Sequence, residues 1–147
     1  GSELLPLRVP VRAEYYNGSG WTLNAADNCT TLPNQRSNLA IGNQSATLTP
    51  YGSSKVPSAS LTLSGGLGAI VLAVPDATKS GTADIALNLT NTTTDVSCNS
   101  THPATVSGAN LTWLQGRWCG ASYGNDPCAR VRFGAAKTPY LYLRERY

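Results

Sequence analysis

Leu7-Arg8-Val9-Pro10-Val11-Arg12-Ala13-Glu14-Tyr15 is the stretch whose pattern decides the fold. Every odd position is apolar or aromatic, and the even ones are Arg, Pro, Arg and Glu. A period of two residues belongs to a β-strand with one face buried and one wet. Proline has no N–H to give to a ladder, so Pro10 puts this strand at a sheet edge or at a bulge. The turn-formers Asn17-Gly18-Ser19-Gly20 then lead into Trp21-Thr22-Leu23 and predict a hairpin.

The same signals recur downstream. Leu61-Thr62-Leu63 and residues 69–74 flank Gly65-Gly66-Leu67-Gly68, which reads as a turn. Residues 82–90 alternate again, with Ala83, Ile85, Leu87 and Leu89 on one face. Residues 111–118, 129–133 and 140–147 supply three further expected strands. In the second of these, Val131 and Phe133 are expected to point inward and Arg130 and Arg132 outward. In the third, Leu141 and Leu143 alternate with Tyr140, Tyr142 and Arg144, so a strand pairing with residues 129–133 is expected. No dozen residues carry a helical period, and Ala25-Ala26-Asp27-Asn28 is at most one turn. Residues 34–60, rich in Ser, Asn, Gly and Pro, read as a long surface connection. Seven to nine short strands with Gly, Pro and Asn between them describe one all-β domain, an antiparallel β-sandwich of immunoglobulin-like or related topology.

Composition fits that class. The chain of 147 residues has one Phe, no Met, 13% charged residues and a net charge of +3. One domain of this size can bury a core without a metal or a partner. The basic residues are spread out, apart from Arg130, Arg132, Lys137, Arg144 and Arg146, which read as a solvated strand face. Neither nucleic acid nor membrane insertion is expected. Gly1-Ser2 resembles a tag-cleavage scar, and the chain is expected to be a piece of a larger exported protein.

Enzyme chemistry finds little footing. The acidic residues Glu3, Glu14, Asp27, Asp76, Asp84, Asp95, Asp126 and Glu145 fall in turns or at outward strand positions, and nothing singles out a catalytic pair. His102, the one histidine, stands before Pro103 with no nucleophile elbow at any serine. Phosphate loops and dinucleotide fingerprints are missing. Catalytic residues, cofactors and metal ligands are therefore expected to be none. Asn125 and Asp126 could offer oxygens to calcium, but one carboxylate is too few, and an Asx turn before Pro127 is the plainer reading.

Cys29, Cys98, Cys119 and Cys128 contain no CxxC pair, which speaks against zinc and for disulfides in an oxidising compartment. Four cysteines allow three connectivities, and reactive thiols are the alternative. Cys119 and Cys128 flank a short turn-rich loop, so their pairing costs little closure entropy. Cys119–Cys128 and Cys29–Cys98 are the expected bridges, contributing roughly 3 and roughly 4 kcal/mol in the chain-entropy model. Aromatic residues are the remaining resource. Trp21, Trp113 and Trp118 with seven tyrosines are either packing or a stacking platform. Tyr16, Trp21, Trp118 and Tyr123 are the candidate contacts for a ligand or partner. Seven N-x-S/T sequons, at Asn17, Asn28, Asn43, Asn88, Asn91, Asn99 and Asn110, matter only in a host that glycosylates them.

Leu111-Thr112-Trp113-Leu114, then Asp126-Pro127-Cys128-Ala129-Arg130-Val131-Arg132-Phe133-Gly134, then Leu141-Tyr142-Leu143-Arg144-Glu145 resemble the C-terminal region of MshQ-type proteins. Leu5-Pro6-Leu7-Arg8, Tyr16-Asn17-Gly18-Ser19-Gly20-Trp21, Asp27-Asn28-Cys29-Thr30 and residues 74–82 look like further pieces of the same pattern. Those proteins are large, exported and linked to the mannose-sensitive haemagglutinin type IV pilus of Gram-negative bacteria. Two features depart from the pattern. The family's acidic turn after Trp-Leu is Gln115-Gly116-Arg117-Trp118 here, and a family serine is Cys128. The resemblance implies an extracellular, pilus-associated module that serves adhesion or assembly. Its partners would be other pilus or minor-pilin proteins, or further domains of the same protein. A carbohydrate-binding domain using exposed Trp and Tyr is the alternative, and an accessory domain of a secreted glycan-active enzyme is another.

Overall fold

The alternation in residues 7–15 becomes two consecutive strands, hinged at the buried Ala13. A computed structural model describes residues 4–77, 79–90, 99, 110–118 and 121–134. Among these it forms nine strands, all paired antiparallel: β1 (Leu7–Arg12), β2 (Glu14–Tyr16), β3 (Trp21–Leu23), β4 (Thr31–Leu32), β5 (Leu39–Gly42), β6 (Leu61–Thr62), β7 (Leu67–Leu72), β8 (Gly81–Leu87) and β9 (Cys128–Phe133). The fold is all-β. Its helical content is small: a four-residue helix, α1 (Gln35–Asn38), and three single 3-10 turns.

The described residues form four sheets, and two of them hold the longest strands and much of the core. In one, β1 pairs with β7, Leu7 lying opposite Leu72. In the other, β8 runs between β5 and β9. Leu7, Val9 and Val11 are half-buried and pack on the core, while Arg8, Pro10 and Arg12 are exposed. Among the described residues β1 has no second neighbour, which accounts for the tolerance of Pro10. β8 contrasts with it: every residue from Ala83 to Leu87 is buried, as a strand paired on both edges and covered on both faces requires. Val131 and Phe133 of β9 are buried and Arg130 and Arg132 exposed, as alternation predicts. Phe133 packs on Tyr51 with ring centroids 5.0 Å apart.

Turn chemistry holds at both predicted turns, with one shift. Gly65 and Gly66 have φ of +58° and +73°, the pair of left-handed residues of a type I′ turn, so the strand resumes at Leu67 rather than after Gly68. Gly66 also lies against the end of β3, where a Cβ would meet the Asn24 carbonyl oxygen at 2.4 Å.

Two expectations fail. Residues 34–60 are not a loose surface connection. They form α1, β5 and two 3-10 turns, and they bury Leu39, Ala40, Leu48, Tyr51 and Val56. A short apolar run in a polar stretch suffices here, because β5 pairs along one edge with β8. Residues 111–118 are not a strand. The Leu111 N–H reaches the Leu89 carbonyl, and the chain then turns through a 3-10 turn at Thr112–Leu114. The expected strand at 140–147 lies outside the described residues.

One buried charge is built into the central sheet. Asp84 of β8 is 8% exposed and accepts from Arg130 Nε at 2.7 Å, Arg130 Nη2 at 3.0 Å and Asn43 Nδ2 at 3.0 Å. The Arg130 hydrogen bonds, ahead of the Asn43 bond, hold its carboxyl below the usual range. A depressed carboxylate adds stability above its unfolded-state pKa of about 4 and loses it as pH falls through the lower folded value. The stability advantage of the natural chain over Arg130→Ala, read from urea midpoints, should therefore be full near neutral pH. It should shrink as the pH drops below about 4. An advantage that is the same at neutral and strongly acidic pH would exclude the carboxylate as its source. In the core, Phe133→Ala should cost roughly 3–5 kcal/mol, as for other buried aromatics. A loss under about 1 kcal/mol in the same assay contradicts the packing against Tyr51.

Candidate functional site

The chain has a cleft with aromatic side chains on two sides. On one side stands the β2–β3 hairpin. Its turn is set by Asn17, whose Oδ1 accepts from the Ser19 and Gly20 N–H groups at 3.0 and 2.9 Å, with Gly18 at φ +96°. This places Tyr16 directly across from Trp21 in the ladder, and their rings meet edge to face with centroids 5.8 Å apart. Trp21 is 64% exposed and faces the cleft.

Opposite it stands the segment from the 3-10 turn to β9. Gly116 and Asn125 exchange backbone hydrogen bonds of 2.9 and 3.1 Å, closing a loop that carries Trp118 and Tyr123. Asp126, 2% exposed, ties this loop to the body. Its Oδ1 accepts from Gln115 Nε2 at 2.9 Å and from the Leu89 N–H at 3.3 Å. The absence of a Cβ at Gly116 makes room for an indole, since a Cβ there would lie 2.9 Å from Trp118 Nε1. Arg117 stacks over Tyr123, its guanidinium carbon 5.7 Å from the ring centroid. Trp113, Trp118 and Tyr123 all remain exposed.

Between the two sides lies a volume of about 770 Å³ with an aliphatic floor that includes Leu32, Leu63, Ile85, Leu87 and Leu111. That size is typical of ligand clefts. Two of its charged side chains pair with each other, Arg12 Nη2 bonding Glu14 Oε1 at 3.0 Å, and Arg117 lies on the Tyr123 ring. The cleft therefore presents a largely apolar surface with ring faces at its mouth and one guanidinium, Arg117, that no lining carboxylate balances. Of the acidic residues, Glu14 lines it; Asp27, Asp76 and Asp84 are engaged elsewhere by backbone N–H groups, Lys55 and Arg130.

Of the four aromatic candidates, the fold brings Trp21, Trp118 and Tyr123 to the cleft, while Tyr16 supports Trp21 from the side. Sequence reasoning placed Trp113 on a strand and gave Arg117 and Gly116 no role. The signal for Gly116 was its position between Gln115 and Arg117 in a turn. Asp126 proves to be a buried acceptor for the Gln115 amide and the Leu89 N–H. Two sequons are inaccessible, since Asn88 and Asn99 are 0% and 1% exposed.

The cysteine scheme needs correction at Cys29, which carries a free, exposed thiol and so does not bridge to Cys98. Asp27 Oδ1 accepts from the Cys29 and Thr30 N–H groups at 3.2 and 2.9 Å, and this turn holds the Cys29 sulfur 3.8 Å from the same oxygen. Cys128 is disulfide-bonded. Cys98 and Cys119 lie outside the described residues. Cys29→Ser should lower by one the number of thiols that react with an aromatic disulfide reagent in the native protein; an unchanged titre would mean that Cys29 is bridged.

Neither the curated proteins nor the solved structures include a match to this chain. A family model does match, over residues 1–146, and that span takes in the four sheets and both sides of the cleft. By that match the chain belongs to the DUF6701 family, as its fourth domain.

Proposed function

We propose that this domain is a non-catalytic, extracellular module of a pilus-associated protein of the MshQ type, serving adhesion or assembly through protein–protein contact. The observation that carries the reading is the largely apolar cleft with Trp21, Trp113, Trp118 and Tyr123 exposed around it. Large exposed apolar patches on a monomer are rare, and where they occur they serve recognition. Trp and Tyr are also the residues that dominate protein interfaces. The pilus setting is supported by the sequence resemblance described above.

A carbohydrate ligand is the second reading, favoured by the exposed indoles. Sugars need hydrogen-bonding side chains beside the stacking ring, and the Gln115 amide at this cleft is committed to Asp126. The reading is tested by adding the domain in excess to Gram-negative cells that carry mannose-sensitive haemagglutinin pili. Pilus-dependent attachment should fall, and a Trp113→Ala/Trp118→Ala domain should compete at least about tenfold less well, the loss of one interface anchor. Equal competition by both domains, or none by either, would overturn it. Glycan-array hits that vanish in the double variant would establish the carbohydrate reading instead.

A further inference from the structure

We infer that the cleft takes an extended peptide segment of a partner protein, apolar at alternate positions, which adds to the outer edge of β1 as a further strand. The inference rests on the binding reading above and specifies its ligand. Its basis is the way β1 meets the cleft. Val9 and Val11 project to the core face of the strand and Pro10 and Arg12 to the solvent face, yet all four line the same cleft. Residues from both faces of a strand can border one space only along the strand's edge. The cleft thus runs beside the backbone of β1.

Among the described residues, half of that backbone's hydrogen-bonding groups face no strand. The Ala13 N–H bonds the Gly66 carbonyl at 2.8 Å, in register with the β1–β7 ladder. In an antiparallel ladder such bonds recur at every second residue, so Leu7, Val9 and Val11 turn their N–H and C=O groups toward β7. Arg8, Pro10 and Arg12 then turn theirs toward the cleft side, offering two N–H and three C=O groups. Among the described residues no strand pairs with them. Pro10 limits the edge to a ladder with one missing donor, which restrains indiscriminate pairing without preventing it. A ligand that answers a row of alternating backbone donors and acceptors is another backbone, so a peptide fits where a lipid chain or a sugar does not.

The chemistry of the cleft specifies the segment. Arg12 is paired with Glu14, and Arg117, stacked on Tyr123, is a lining charge with no carboxylate beside it. Alternate side chains of an added strand would face the aliphatic floor and pass between Trp21 and Trp118. The partner segment is therefore expected to be apolar at every second position and free of basic residues. Gly116 acts as a positioning residue, because it lets the Trp118 indole lie against the backbone.

The test pans the whole domain against a random dodecapeptide display library and measures synthetic copies of the enriched sequences by fluorescence anisotropy. Peptides with alternating apolar residues and no basic ones should be enriched. Trp21→Ala, Trp118→Ala and Gly116→Ala should each weaken binding at least about tenfold, the loss of an interface anchor. Tyr15→Ser, on the opposite face of the hairpin from Trp21, should not. Two readouts identify strand addition itself. Hydrogen exchange at the Arg8 and Arg12 amides should slow on binding, while Val9 and Val11, already bonded to β7, change little. N-methylation of alternate peptide residues should abolish binding in one register and spare it in the other. Peptides that bind without protecting Arg8 and Arg12, binding indifferent to N-methylation, or an unenriched library would each overturn the inference. Competition for pilus-dependent attachment is scored separately, so either reading can fail while the other stands.

Discussion

The position of β8 between β5 and β9 is the constraint on which the rest of the structure depends. A strand with neighbours on both edges satisfies all its backbone groups in the sheet, and only such a strand can bury five consecutive residues. One face of it supplies Ala83, Ile85 and Leu87 to the core; the other carries Asp84 and Ala86. Burying a carboxylate is costly unless it is paired and hydrogen-bonded. Asp84 meets that condition through a two-pronged contact with Arg130 from β9 and an amide from Asn43, just past β5. One side chain thereby fastens both neighbours of β8 in register, and a slip by a single residue in either would break it.

The same strand organises the cleft from its far end. Beyond β8, the Asn88 N–H bonds the Asn38 carbonyl at the end of α1. The next residue, Leu89, gives its N–H to Asp126 and its carbonyl to Leu111. The Leu87 N–H bonds the Pro127 carbonyl. These contacts seat both ends of the loop that carries Trp118 and Tyr123. The exposed rings thus stand on a loop whose two feet are hydrogen-bonded to a buried strand, which is how a recognition surface can be both accessible and held in place.

How much of this was legible follows from what each residue reports locally. β1, β8 and β9 were readable because strict alternation is a property of the strand itself, as Arg130-Val131-Arg132-Phe133 shows. Both turns were readable because Asn17-Gly18 and Gly65-Gly66 supply backbone angles that few other residues tolerate. β5 was hidden. Leu39, Ala40 and Ile41 form a short run in a polar stretch, and only pairing with β8, more than forty residues later, makes it a strand. The 3-10 turn at Thr112–Leu114 was misread because Leu111-Thr112-Trp113 alternates over only three residues before Leu114 breaks the pattern, and Trp113 is 69% exposed. Cys29 misled for a related reason: an even cysteine count constrains the total and not the position of any one of them. The cleft was the least legible part, since its floor gathers Leu32, Leu63, Ile85 and Leu111 from four separate segments.

The exposed tryptophans and the edge of β1 are best understood together. A domain with eighteen buried apolar residues among those described has a core into which an indole could pack, yet Trp21, Trp113 and Trp118 are each more than half exposed. Leaving three such rings in water forgoes roughly 2 kcal/mol or more of burial for each, which selection for stability alone would not retain. An unpaired strand edge is likewise a hazard that soluble domains ordinarily cover, shorten or charge. β1 is six residues long, and its guard on that side is Pro10, with the arginines at Arg8 and Arg12. Two separate costs, aromatic and backbone, fall along one cleft, and a bound strand would relieve both at once. Ordering such a segment costs conformational entropy, so the net gain would be smaller than the buried area implies. What the rigid jaws contribute is that the domain's side of that cost is met in advance, by Asn17 in one turn and by Asp126 and Gly116 in the other.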